Sequence, residues 1–148
     1  MKWLLDTNVV SESIRPRPEP RVLAWISSQP AELMAISVVT LAELRDGAST
    51  VADKTRRQRL DHWIDAEVVA TFENRTLPLT VDILSDWLFL ARKLSAKGRP
   101  RSAPDLLIAA TARVHDLIIV SRNFHDFAGT DVSVFDPWSE EIHRMDAP

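Results

Sequence analysis

The chain has 148 residues, 45% of them hydrophobic, which is enough for one domain with a buried core. It contains no cysteine, which excludes disulfides and cysteine-bound zinc, and no apolar stretch approaches the ~18 residues of a membrane span. The net charge of -3 does not by itself indicate a nucleic-acid-binding protein. We therefore expect a single domain over residues 1–148, located in the cytoplasm and not in a membrane.

Short apolar runs alternate with longer amphipathic segments along the chain, and they predict five strands and five helices. In chain order these are a strand at 3–5, a helix at 19–29, a strand at 34–39, helices at 41–52 and 57–69, a strand at 76–79, helices at 80–97 and 104–115, and strands at 117–120 and 132–135. The alternation predicts an α/β fold with a mainly parallel five-stranded sheet that helices cover on both faces.

Three acidic residues stand where predicted strands and helices meet. Asp6 ends the first strand, Glu43 follows the second, and Asp105 opens the helix before the fourth. Helix capping alone explains each of them: Asp6 can cap a helix that begins at residue 8 or 9, while Thr40–Glu43 and Ser102–Asp105 have the spacing of a capping box. Taken one at a time, these acids are more simply structural than catalytic.

The predicted sheet also gives the three acids a common place to meet. In parallel sheets, binding sites lie beyond the carboxyl ends of the strands, near a switch in strand order. Acids that converge there repel one another unless protons or cations neutralise them. Carboxylate oxygens without cysteine or histidine favour Mg²⁺ or Mn²⁺ over zinc, and an open site of this kind suits phosphodiester hydrolysis. The alternative hypothesis to capping is therefore a metal-dependent nuclease.

A polar segment follows the fourth strand at residues 121–127. Within it, Asn123 can offer an amide oxygen to a metal or to a metal-bound water, and Asp126 adds a carboxylate. A polar turn explains both residues equally well. The four histidines show no metal-ligand spacing, so we interpret them as structural or surface residues.

Basic residues cluster at 15–21, 54–59 and 93–101. Such clusters are usually solvated helix faces, and phosphate contact is the functional alternative. Arg99 and Arg101 precede Asp105 closely, so their position makes them our first candidates for phosphate contact.

Five short motifs occur in the same order as in PIN-domain proteins. They are LLDTN at 4–8, SVVTLAELRDG at 37–47, PDLLIAATA at 104–112, IVSRNFHDF at 119–127 and VFDPW at 134–138. Over nearly its whole length the chain resembles this family, most closely the VapC-type toxins of bacterial toxin–antitoxin pairs, including the FitB-like branch. The resemblance implies a three-layer α/β/α domain and a Mg²⁺- or Mn²⁺-dependent endoribonuclease that cleaves RNA and stops translation.

The resemblance also assigns roles by motif. Asp6, Glu43 and Asp105 match the acids that hold the metal, while Thr7 and Ser121 match hydroxyl positions that hydrogen-bond those acids. It further implies a homodimer, or a higher assembly with a cognate antitoxin whose tail inserts into the acidic groove and inhibits the enzyme.

The fourth family position, an acid in many members, is Asn123 here. Either Asp126 substitutes for that acid or Asn123 acts through a water. Asn123 is also the feature that favours a different function, a PIN-like binding module that has lost its chemistry. A haloacid-dehalogenase-type phosphatase is a further alternative, since Asp6 would end its first strand too, but that family needs a second aspartate where this chain has Asn8.

Overall fold

A computed structural model describes residues 1–146, so the last two residues of the predicted domain lie outside the described part. The strands are β1 Trp3–Leu5, β2 Met34–Ser37, β3 Thr76–Leu77, β4 Ile118–Val120, β5 Ser133–Asp136 and β6 Glu141–Arg144. The α-helices are α1 Thr7–Val10, α2 Pro20–Ser28, α3 Val38–Ser49, α4 Lys54–Trp63, α5 Val69–Thr71, α6 Val81–Ala96 and α7 Ala103–His115. Three short 3-10 helices lie at Ser11–Ile14, Ala31–Leu33 and Phe124–Phe127, and a π-helical turn at Ile64–Val68 joins α4 to α5.

The sheet has the strand order β3-β2-β1-β4-β5-β6 and is parallel except for its last pair. The prediction of a mainly parallel sheet is confirmed, but the number of strands is six instead of five. The missed strand, Glu141–Arg144, pairs antiparallel with β5. Its mostly exposed sequence EIHR lacks the apolar run that marked the other strands, as is usual for an edge strand.

Helices cover both faces of the sheet. Along β1, Leu4 packs in one core with the buried side chains of α6 and α7. Trp3 and Leu5 point to the opposite face and pack in a second core with Val22 of α2 and Trp63 of α4. Because successive strand residues point to opposite faces, these two cores define a three-layer α/β/α domain, as predicted. None of the helices within residues 1–146 is long and apolar enough to cross a membrane.

The junction between β2 and α3 corrects one prediction. The helix begins three residues before Leu41, and the Ser37 hydroxyl caps it by accepting from the Val39 N–H at 3.1 Å. Thr40, predicted to form a capping box with Glu43, lies inside the helix with its hydroxyl buried, and that hydroxyl finds no hydrogen-bond partner in residues 1–146. Glu43 therefore stands in the second turn of α3, and its position is not explained by capping.

The strand order reverses at β1. The chain runs outward from β1 through β2 to β3, then returns to place β4 on the other side of β1. The carboxyl ends of β1 and β4 therefore flank a topological switch point, where open α/β sheets bind their ligands. Asp6 follows β1 and Ser121 follows β4 at this place.

Candidate active site

Asp6 is the most firmly held of the three acids. Its side chain is only 7% exposed. One carboxylate oxygen, Oδ1, accepts from the Thr7 N–H at 2.8 Å and so caps α1, one residue earlier than predicted. The other oxygen, Oδ2, accepts from the Ser121 hydroxyl at 2.7 Å and from the Asn8 amide at 3.1 Å. Because donors from α1 and from the residue after β4 engage both oxygens, the carboxylate has one fixed orientation at the switch point.

Asn8 is a positioning residue whose role sequence reasoning missed. Its Nδ2 donates to Asp6 and, at 3.0 Å, to the hydroxyl of Ser121, while its Oδ1 accepts from the Arg122 N–H at 3.1 Å. It therefore ties the end of β1 to the end of β4. The only available signal was its place in LLDTN, since the contact spans 114 residues along the chain.

Glu43 and Asp105 are each oriented by a hydroxyl. The Thr7 Oγ1 donates to Glu43 Oε1 at 2.9 Å. In the first turn of α7, the Ser102 hydroxyl donates to Asp105 Oδ2 at 2.5 Å and accepts from the Asp105 N–H at 3.3 Å. The predicted capping interaction of Ser102 with Asp105 is thus present, and it leaves the second oxygen of Asp105 without a protein donor in residues 1–146.

One open cavity of about 340 Å³ brings the predicted acids together. It is lined by Asp6, Thr7, Asn8, Ser11, Glu43, Asp105, Asn123 and Asp126. Every acid singled out from the sequence therefore faces the same space, although the end of β1, α3, α7 and the segment after β4 supply them from distant parts of the chain. Ser121, buried behind Asp6, supports this wall without lining the cavity.

The electrostatics of this cavity favour protons or cations. Burial raises the pKa of Asp6 to about 6, although the hydrogen bonds from Ser121 and Thr7 oppose the shift, and the charges of Glu43 and Asp105 raise it further. Such a shift means that the ionised carboxylate is costly where it stands.

The other two acids shift in the same direction. Burial raises the pKa of Glu43, and the negative charge of Asp105 adds to the shift. Burial also raises the pKa of Asp105, with a further contribution from Asp126, whereas Arg101 acts to lower it. Asp105 therefore interacts electrostatically with groups on both sides of the cavity.

The donor set fits a hard divalent cation that keeps part of its water shell. In residues 1–146, no group of three His, Cys, Asp or Glu side chains could hold a metal ion by itself. Mg²⁺, however, commonly binds through one or two carboxylates and several waters, and the cavity offers oxygen donors and far more room than the ~30 Å³ of one water. A bound cation would also offset the repulsion between these acids, which adds to the effect of burial on their pKa values.

Arg99 and Arg101, the predicted phosphate contacts, do not line the acid cavity. Arg99 is exposed in the segment between α6 and α7. Arg101 is half-buried, its Nε has no hydrogen-bond partner within residues 1–146, and its charge is felt at Asp105. Phosphate contact by these two residues stays a prediction.

This fold and this acid-lined switch point define a recognisable class. The sequence profile of the PIN domain matches residues 3–132, and the chain belongs to the PIN-domain family. Toxin FitB of Neisseria gonorrhoeae is 34% identical over 137 residues, which cover 93% of this chain and 99% of FitB. The VapC ribonuclease Y4jK of Sinorhizobium fredii is 32% identical over 135 residues, covering 91% and 96%.

Solved structures confirm the fold. A chain in the crystal structure of FitAcB from Neisseria gonorrhoeae has a TM-score of 0.85 at 34% identity, over 92% of this chain and 98% of that one. VapBC-5 from Mycobacterium tuberculosis, from the VapBC family of toxin–antitoxin systems, gives 0.64 at 29% identity, over 90% and 96%. The predicted resemblance to PIN-domain and VapC-type proteins is confirmed.

Proposed function

We propose that the protein is a Mg²⁺- or Mn²⁺-dependent endoribonuclease and the toxin of a toxin–antitoxin pair. The observation that carries this proposal is the convergence of Asp6, Glu43 and Asp105 on one open cavity at the switch point of a PIN domain. The similarity to a VapC ribonuclease supports the reaction, and the similarity to FitB and VapBC-5 supports the biological setting.

The three acids, together with waters that complete its coordination, would hold the divalent cation, which when bound supplies a Lewis acid for a phosphoryl oxygen and an activated water. The chain itself supplies orientation. Ser121 and Asn8 fix Asp6, and Thr7 fixes Glu43 through its side chain and Asp6 through its backbone N–H. Such supporting hydrogen bonds set the direction of metal ligands.

The proposed partners are an RNA substrate and a cognate antitoxin protein that inhibits cleavage. Because RNA is the proposed substrate, the cytoplasm is the proposed site of action. Support for an antitoxin comes from the relatives, one of which is named a toxin and another of which belongs to a toxin–antitoxin system.

A homodimer is part of the proposal. Helix α6 exposes Val81, Leu84, Leu88 and Phe89, which recur at i, i+3, i+7 and i+8 and so share one face. An exposed apolar face of this kind favours association. Light scattering on Leu88→Glu should show a smaller assembly than the wild type, and an unchanged mass would count against this face.

The decisive experiment is an RNA cleavage assay on the purified chain. We expect cleavage with Mg²⁺ or Mn²⁺, none after EDTA, and strongly reduced cleavage by Asp105→Asn, whose fold can be verified by circular dichroism. Asp82→Asn, which removes an exposed acid of α6 that does not line the cavity, is the matched control and should cleave normally. Cleavage in EDTA, or full activity of Asp105→Asn, would refute the proposal.

The binding-module alternative rests on Asn123, which faces the cavity where many family members carry an acid. It predicts a folded wild-type chain without RNA cleavage under any metal condition. The geometry does not favour the phosphatase alternative, because Asn8 occupies the place of its second aspartate and has both side-chain polar atoms engaged.

A further inference from the structure

A second, larger cavity lies beside the acid cavity and is bordered by cations. Its volume is about 720 Å³, and its charged residues are Arg15, Arg56 and Arg59. Arg56 and Arg59 stand three residues apart on α4, so they project from one face with their Cβ atoms about 5–6 Å apart. Arg15 reaches the same space from the end of the 3-10 helix that follows α1.

These arginines are available for a ligand. Within the described residues, the guanidinium groups of Arg56 and Arg59 have no ion pair or hydrogen bond, whereas the adjacent Arg57 donates to the Val51 carbonyl at 2.9 Å. Arg15 contacts the buried Glu12 at 3.5 Å but keeps a largely exposed side chain. Guanidinium groups bind phosphate oxygens through pairs of hydrogen bonds.

The two cavities adjoin one another. Ser11 lines both of them. A smaller apolar cavity of about 230 Å³ lies between: it shares Thr7 and Glu43 with the acid cavity, and Ile14 and Leu60 with the arginine cavity. The three cavities therefore lie in a row from the acids, past an apolar segment, to the three arginines.

From this arrangement we infer that the arginine cavity binds the phosphodiester backbone of single-stranded RNA on one side of the bond to be cut. A polyanion must approach a cavity lined by four acidic side chains, and adjacent cations offset the repulsion. The apolar segment between them offers a surface for a base, while the arginines contact the phosphates that follow. The inference rests on the proposed function, since it takes the substrate to be RNA.

The test compares RNA affinities without requiring cleavage. Fluorescence anisotropy with a labelled single-stranded RNA of about 12 nucleotides, within the range of known single-strand site sizes, is measured in EDTA for wild type and Arg56→Gln/Arg59→Gln. Each phosphate contact contributes about 0.7 to the slope of log K against log salt, which is about fivefold in affinity at 0.1 M relative to 1 M. The double variant should therefore bind about 25-fold more weakly at 0.1 M salt, with a slope smaller by about 1.4.

The matched control is Arg92→Gln/Arg144→Gln, which removes the same charge elsewhere. Arg92 lies exposed on α6, and Arg144 pairs with Ser133 at the amino edge of the sheet, far from the acids. This control should bind RNA as the wild type does. The inference is overturned if Arg56→Gln/Arg59→Gln binds RNA with the affinity and salt slope of the wild type, a result that would leave these arginines to a protein partner. Equal losses of affinity in this variant and in the control would overturn it as well. A wild type that binds RNA but never cleaves it refutes the proposed function alone.

Discussion

The two sides of the acid cavity are built differently. On one side, Asp6 is buried and its two oxygens accept three hydrogen bonds. On the other side, Asn123 is exposed and Asp126 is half-buried, and within residues 1–146 neither side chain makes a hydrogen bond. The first side is fixed by the fold before any ligand arrives, whereas the second can adapt to one.

This difference indicates a division of labour. A buried, hydrogen-bonded carboxylate whose pKa is raised is poised to exchange a proton for a cation. Exposed residues on an adaptable wall are suited to contact the substrate or the water shell of the ion. We therefore expect substitutions on the Asp6 side to cost more than those on the Asn123 side.

The largest effect is expected from Asp6→Asn. Removing the central carboxylate should reduce kcat for RNA cleavage by about 10²- to 10³-fold, because several kcal/mol of charge stabilisation depend on the cation. Single-turnover cleavage measures this loss, and Asp82→Asn again serves as the control. A smaller loss of kcat in Asp6→Asn than in Asn123→Ala would contradict the expectation that the Asp6 side of the cavity matters more.

The pH dependence of stability should show the same asymmetry. In EDTA, Asp6 binds its proton more tightly in the folded chain, so its proton stabilises the fold below pH 3.8, and this stability is lost as pH rises through about 6. The shift corresponds to about 3 kcal/mol. Between pH 3.8 and about 6, the free energy of unfolding of the wild type, measured in urea, should fall by that much relative to Asp6→Asn. Mg²⁺ should restore part of this free energy at neutral pH. Parallel pH profiles for the two proteins would contradict the assignment.

The hydrogen bonds behind Asp6 should matter next. Ser121→Ala and Asn8→Ala each remove a donor to Asp6 and should lower kcat/KM by about 10- to 100-fold. Because the hydrogen bond from Ser121 lowers the pKa of Asp6, loss of this bond should move the acidic limb of the pH–rate profile to higher pH. A merely structural role of Ser121 would not produce this shift. Ser85→Ala, at an exposed position of α6, is the control. An acidic limb at the same pH in Ser121→Ala as in the wild type would contradict the role of Ser121 in positioning Asp6.

The smallest effects are expected at the adaptable wall. Asn123→Asp should tighten Mn²⁺ binding and Asp126→Asn should weaken it, each by about twofold to fivefold, since solvent screens charges at accessible positions. Calorimetry gives both affinities. A change of 100-fold in either variant would show that this wall holds the ion as firmly as Asp6 does.

The sequence predicts the sheet well where strands are buried. The runs before Asp6 and at residues 117–120 are apolar because helices cover both faces of the sheet, and the structure contains both strands. Prediction from the sequence fails where a strand or a helix cap depends on the tertiary structure around it. The edge strand Glu141–Arg144 has no apolar run, and Ser37 takes the cap predicted for Thr40 because the turn into α3 comes earlier.

At the site, the acidic residues can be predicted from the sequence more readily than the residues that hydrogen-bond to them. Asp6, Glu43 and Asp105 each follow from a junction or a motif, and one cavity contains all three. The role of Asn8 could not be predicted, because it bonds to residues more than 110 positions away. Contacts of that range are set by the pairing of β1 with β4, which periodicity does not reveal.

Titration calorimetry of Mn²⁺ into the metal-free chain tests the central claim most directly, since it asks whether the three acids form one cation site. We predict saturable binding to the wild type and to Asp82→Asn, with the heat lost in Asp6→Asn/Asp105→Asn. Binding of Mn²⁺ to that double variant with unchanged affinity would show that the acid cavity is not the metal centre.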